Sequence, residues 1–139
     1  MTRNEAREIL MQILYEMDAD GEMTGERARL LAADRLAGGH VERGGNLLAE
    51  TVDHLEEIDG DINRCSTRWK TSRMPRVDLA IMRLACGEMR FAGDIPDAVA
   101  INEALNLAKK FSTPNSAKFI HGVLGAIAKT SGEVQSEEE

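Results

Sequence analysis

Two arginines, Arg3 and Arg7, stand four positions apart near the start of the chain. On a helix that spacing puts both guanidinium groups on one face, where they can fork onto phosphate oxygens. Two such residues taken alone are also ordinary surface. Gln12 and Tyr15 follow on the same stretch. The Tyr15 ring either stacks on a base, worth ~1–3 kcal/mol, or anchors its helix as a buried ring with a satisfied hydroxyl. Groupings that would carry catalysis are missing: no Gly-rich phosphate loop, no HExxH, no GxSxG and no paired Cys–His pattern. Cys65 and Cys86 lack CxxC spacing and read as a partly buried thiol and a core thiol. His40 and His54 are isolated, and His121 has no second ligand one turn away. The expectation is a non-catalytic protein with no cofactor and no metal.

The elements that position these residues follow from composition and period. The chain has 139 residues, the size of one ordinary domain, with 42% hydrophobic and 29% charged residues. No window approaches ~18 unbroken apolar residues, so no membrane span is expected. No secretory leader is visible, and a reducing cytoplasm is the simplest compartment for two unpaired cysteines. Net charge is −7, which at first argues against nucleic acid. The distribution weakens that objection: residues 1–72 carry −6, residues 73–129 carry +3, and residues 130–139 carry −4. Binding responds to potential within a Debye length of ~8–10 Å, not to the total. No strongly basic stripe stands out, so RNA binding would rest on few phosphate contacts or on a partner.

The apolar period is helical throughout, which predicts an all-α fold of about seven helices. Residues 4–17 form an amphipathic helix capped by Thr2 or Asn4 and stopped at Asp18–Gly21. Residues 24–37 form a second, capped by Thr24. Residues 41–58 form a third, expected to begin late or fray because Gly44 and Gly45 each cost ~1 kcal/mol against alanine. A short helix is expected over 59–66. The segment Trp69–Pro75 reads as a divider between an N-terminal bundle, 1–72, and a C-terminal bundle, 73–129. Helix resumes at Arg76 and runs to about Phe91. From Val77 to Cys86 it is apolar almost all round, the pattern of a central helix. Pro96 starts the next helix, with Lys109 and Lys110 at its C-terminal end. Asn115 or Ser116 caps the last, Ala117–Lys129, where Gly122 and Gly125 would admit a close neighbour. Residues 130–139 read as a disordered acidic tail.

Four ordered segments carry a resemblance. Ala6-Arg-Glu with Gln12-Ile-Leu-Tyr15 is similar to the first helix of the NusB family. Arg76-Val-Asp-Leu-Ala-Ile-Met-Arg-Leu-Ala-Cys-Gly-Glu-Met89 resembles its central helix. Ile95-Pro-Asp-Ala-Val-Ala-Ile-Asn-Glu-Ala-Leu-Asn-Leu-Ala-Lys-Lys-Phe-Ser112 looks like its IPxxVAINEAxxLAKxF helix, and Ser116-Ala-Lys-Phe-Ile-His-Gly-Val-Leu124 its final SxKFINGVL element. Order and spacing agree over about residues 3–128, while 18–45 match poorly.

The resemblance implies a NusB-like fold of two helical bundles and a role in transcription antitermination. The family domain binds boxA-type RNA together with a small-subunit ribosomal protein, alias NusE, in an RNA polymerase complex. On that basis Arg3, Arg7, Gln12, Tyr15, Lys118 and Phe119 are the candidate RNA residues, although Phe119 also suits a core position. Only two arginines remain of the family's basic arm, and Glu5 stands among them. Asp78 and Glu88 would form an acidic face for the basic ribosomal partner, joined by Asn115; the alternative is a solvated or internally paired carboxylate. Gly87 stands where the family usually has a large residue, often tyrosine, that would fill a partner groove. A second reading follows from these departures: a family member with weakened RNA binding that serves as a protein–protein or self-association module. Homodimerisation is compatible with either.

Overall fold

The computed structural model describes the backbone of residues 1–138 and the side chains of residues 1–130. The expected acidic tail lies almost wholly outside the residues described in full. The helices are α1 (Arg3–Asp20), α2 (Gly25–Arg35), α3 (His40–Asp53), α4 (Leu55–Cys65), α5 (Arg76–Phe91), α6 (Asp97–Phe111) and α7 (Pro114–Glu138), with a 3-10 turn at Thr71–Arg73 between α4 and α5. No strand occurs among the described residues. Among the described residues no helix is long and apolar enough to cross a membrane.

Local chemistry sets most boundaries. The Thr2 hydroxyl accepts from the Glu5 amide at 3.1 Å, and Thr24 does the same for Arg27 at 3.2 Å. Gly21, at φ 74°, ends α1 in the left-handed conformation that glycine tolerates. The last helix is capped by Thr113, whose hydroxyl accepts from the Ser116 amide at 3.1 Å. That corrects the expected caps, Asn115 and Ser116. Pro114 then takes the first helical position, where its missing N–H costs nothing.

Two expectations fail at α3. The stretch 41–58 is not one helix, because His54 leaves helical geometry at φ −111°, ψ 24°. Its amide donates to the Glu50 carbonyl at 3.1 Å, and α4 restarts at Leu55. The glycines do not fray the helix either. Gly44 and Gly45 are buried. A Cβ on Gly44 would come within 2.5 Å of Leu36 Cδ1 and 3.1 Å of Leu10 Cδ2. Close packing of α3 on α2 and α1 offsets their poor propensity. Gly122 and Gly125, in contrast, meet no close neighbour among the described residues.

The centre of the molecule is α5. Every residue from Asp78 to Glu88 is buried. α1 and α3 pack on it from one side, α6 and α7 from the other, and α4 also touches it. One apolar cluster runs from Leu10, Ile13 and Leu14 of α1 through Leu79, Ile81, Met82 and Leu84 to Ile120 and Leu124 of α7. Burying an Ile or Leu side chain stabilises by about 1.5–3 kcal/mol, so these positions carry the fold.

Candidate nucleic-acid interface

The N-terminal arginines open on a groove of about 470 Å³ between α1, α3 and the α5–α6 turn. Arg3 is exposed at its mouth. Arg7 is not free. Its Nη2 donates to Glu88 Oε2 at 2.7 Å, its Nε reaches both Glu88 oxygens at 3.2 Å, and its Nη1 lies 3.6 Å from Glu103 Oε2. The two side chains are only 13% and 4% exposed. Arg43 crosses the same groove to Asp94 at 2.8 Å, and that guanidinium hydrogen bond holds the Asp94 carboxyl below its ordinary value. Arg7 as a free phosphate-binding cation is therefore corrected: two carboxylates already occupy its donors.

The same contact corrects the acidic face. Glu88 is 3% exposed and Asp78 0%. Glu88 serves Arg7, and Asp78 Oδ1 accepts from the Ser112 hydroxyl at 2.6 Å. Neither presents charge to a partner. Gly87 offers no vacant partner groove: it is buried against α3, and a Cβ there would run into Thr51 Oγ1. Asn115 is exposed in the first turn of α7.

A different face of α1 brings expected residues together. Glu8, Gln12 and Tyr15 recur at helical spacing, and Gln12 and Tyr15 are exposed, Tyr15 by 41%. Lys110, at the end of α6, reaches this face through Glu8 Oε1 at 2.6 Å. Ser112 ties the α6–α7 turn to Asp78, so α7 and Lys118 begin beside the first turn of α5. Glu88 lies ten positions further along α5, about 15 Å at 1.5 Å per residue. Arg7 and Lys118 thus sit toward opposite ends of the central helix. Lys118 is exposed and has no ion pair among the described residues. Phe119 is half-buried and meets the edge of Trp69, ring centroids 5.2 Å apart.

Sequence reasoning missed Arg43, Lys110 and Trp69. Lys110 was legible only as a complement to the α6 dipole. The signal for Trp69 was its place in an acid-free stretch, read above as a divider. Cys86 is buried, as expected of a core thiol, and that burial pushes it up to about 12.

Comparison with known proteins agrees with this architecture. A family model described as the NusB family matches residues 4–129. Transcription antitermination protein NusB of Desulforamulus reducens is 41% identical over 129 residues, covering 91% of this chain and 90% of that protein. NusB of Geobacter sulfurreducens is 38% identical over 130 residues, covering 92% and 94%. Among solved structures, T. maritima NusB superposes with a TM-score of 0.82 at 28% identity over 93% of this chain and 92% of that one. A chain from a complex of antitermination factors NusB and NusE with dsRNA gives 0.79 at 28% identity, over 92% and 96%. With the motifs, the α5-centred fold and these relatives in agreement, the chain belongs to the NusB family.

Proposed function

We propose that this protein is a transcription antitermination factor: a non-catalytic cytoplasmic adaptor that binds boxA-type RNA together with a NusE-type small-subunit ribosomal protein, in a complex with RNA polymerase. Similarity to NusB proteins over nearly the whole chain supports the role. A structural neighbour with NusE and dsRNA supports the partners. The observation that carries the reading onto this surface is the exposed Tyr15 ring, which shares a face of α1 with Gln12 and, two turns back, with Glu8, the partner of Lys110. A planar ring beside an exposed amide suits a stacked base. Arg3, Lys118 and the edge of Phe119 extend the contact, and Asn115 lies exposed nearby for the protein partner.

Fluorescence anisotropy of labelled boxA RNA, with and without the ribosomal partner, tests it. Tyr15→Ala weakens binding about tenfold, as expected for loss of one stacked base, and scrambled RNA binds less well than boxA. The engagement of Arg7 by Glu88 and Glu103 favours a second reading, a self-association or protein–protein module. Equal weak binding to both RNAs, unaltered by the partner and by Tyr15→Ala, selects that reading instead.

A further inference from the structure

The segment Ile62–Val77 contains Arg64, Arg68, Lys70, Arg73 and Arg76 and no Asp or Glu. Two of these cations are engaged: Arg64 with Asp61 at 2.8 Å and Arg76 with Asp18 at 2.8 Å. Arg68, Lys70 and Arg73 are exposed and have no ion pair among the described residues. Arg68 and Lys70 flank Trp69 in the chain and Arg73 follows four positions on; Trp69 itself is 37% exposed. One side of that ring meets Phe119, and the Arg68 guanidinium lies 5.3 Å from its centroid. Lys118, also exposed and unpaired among the described residues, precedes Phe119.

The loop is held in shape. Ser66 Oγ donates to the Trp69 carbonyl at 2.6 Å and accepts from the Trp69 amide at 3.2 Å. Asn63 Oδ1 accepts from the Thr71 amide at 2.8 Å, and Arg76 donates to the Thr71 carbonyl at 3.0 Å. Met74, 2% exposed, plugs the loop into the core. An exposed aromatic ring in a braced loop that also carries unpaired cations is what a single-stranded nucleic acid needs, because each base offers a π-face and each linkage a negative charge.

We propose that the α4–α5 loop and the first turn of α7 form a second RNA contact, in which a base of a single-stranded segment stacks on Trp69 while its flanking phosphates meet Arg68, Lys70, Arg73 and Lys118. The proposal rests on the RNA-binding reading above and carries the RNA path past α7, away from the Arg7 end of the molecule. A base taking the place of the Arg68 guanidinium over the ring releases that cation to the neighbouring phosphate. The four cations also answer the objection from the chain's net charge of −7, since they concentrate positive potential on one small surface.

Trp69 is the sole tryptophan of the chain, so its emission reports this surface alone. The full-length protein is titrated with single-stranded boxA RNA, following Trp69 emission and, in parallel, anisotropy of the labelled RNA. The expected result is saturable quenching with the same midpoint as the anisotropy. R68Q/K70Q/R73Q, which keeps Trp69 and leaves the core untouched, is expected to weaken binding about tenfold in low salt. RNA that binds by anisotropy without quenching Trp69, or a triple variant with unchanged affinity, overturns the proposal while leaving the Tyr15 face intact. Polyglutamate that quenches as strongly as RNA at equal ionic strength also overturns it, by showing a surface that takes acidic peptide. RNA that does not bind at all sinks this proposal and the RNA-binding reading together.

Discussion

The N-terminal turn of α1 and the loop between α4 and α5 both bring arginines to the surface region, but with different neighbours. At the first, Arg7 faces Glu88 and Glu103 across a groove, and Arg43 faces Asp94. At the second, Arg68, Lys70 and Arg73 have an aromatic ring among them and no carboxylate. A guanidinium already bonded to a desolvated carboxylate holds helices together; one that is unpaired and exposed remains available to a polyanion. Availability is therefore set by the partners that folding supplies, not by the number of basic residues in a segment.

Removing one partner of the closed region is the most forceful way to break this contrast. Glu88→Ala leaves the Arg7 guanidinium with Glu103 alone and is expected to cost about 3 kcal/mol, read from the urea unfolding midpoint. The double variant R7M/E88L strands no charge and recovers most of that loss. Its RNA affinity stays at the wild-type value. A stable double variant with weakened RNA binding would return Arg7 to the interface.

Salt dependence sharpens the contrast on the open side. For single strands each neutralised phosphate contributes a slope of roughly 0.7 in log affinity against log salt. R68Q/K70Q/R73Q should flatten the slope by about 2 units on that rule, whereas R7M/E88L leaves it unchanged. Isothermal titrations at several salt concentrations measure both.

The smallest expected effect is on acid stability, and it separates the regions again. Arg43 holds Asp94, and Arg35 holds Glu16, below their ordinary values of 3.8 and 4.5. Asp61 is opposed by partial burial, yet Arg90 and Arg64 bring it below 3.8 as well. A carboxyl whose folded-state pKa is depressed contributes stability above its unfolded value and loses it as pH falls through the folded one. Thermal midpoints should thus hold from pH 7 to about 5 and decline below about 4. The loop has no carboxylate, so Trp69 emission stays flat until the fold itself gives way.

Much of the architecture was legible because helical period and caps are local properties. The Thr2 and Thr24 caps, the Asp18–Gly21 stop and the all-round apolar run of α5 needed no tertiary knowledge. The breaks were not legible for the opposite reason. Gly44 looks like weak helix until Leu10 of α1 and Leu36, just past α2, close on it, and Gly45 until Ala32 and Arg29 of α2 do. Asp78 and Glu88 look like surface until Ser112 bonds one Asp78 oxygen and Arg7 pairs with Glu88, from 34 and 81 positions away. Of the candidate residues, Gln12, Tyr15 and Lys118 are exposed, while Arg7, Asp78 and Glu88 are taken up internally. A sequence states which groups are charged; only the fold pairs them.

The tight seat of Gly87 against Thr51 has a consequence for exchange between relatives. A bulky side chain at 87 occupies the space that this chain gives to the hydroxyl on α3. The two positions thus constrain each other. A central helix transplanted from a cousin with tyrosine there must bring its own α3, or find residue 51 already trimmed, before the pair can nest.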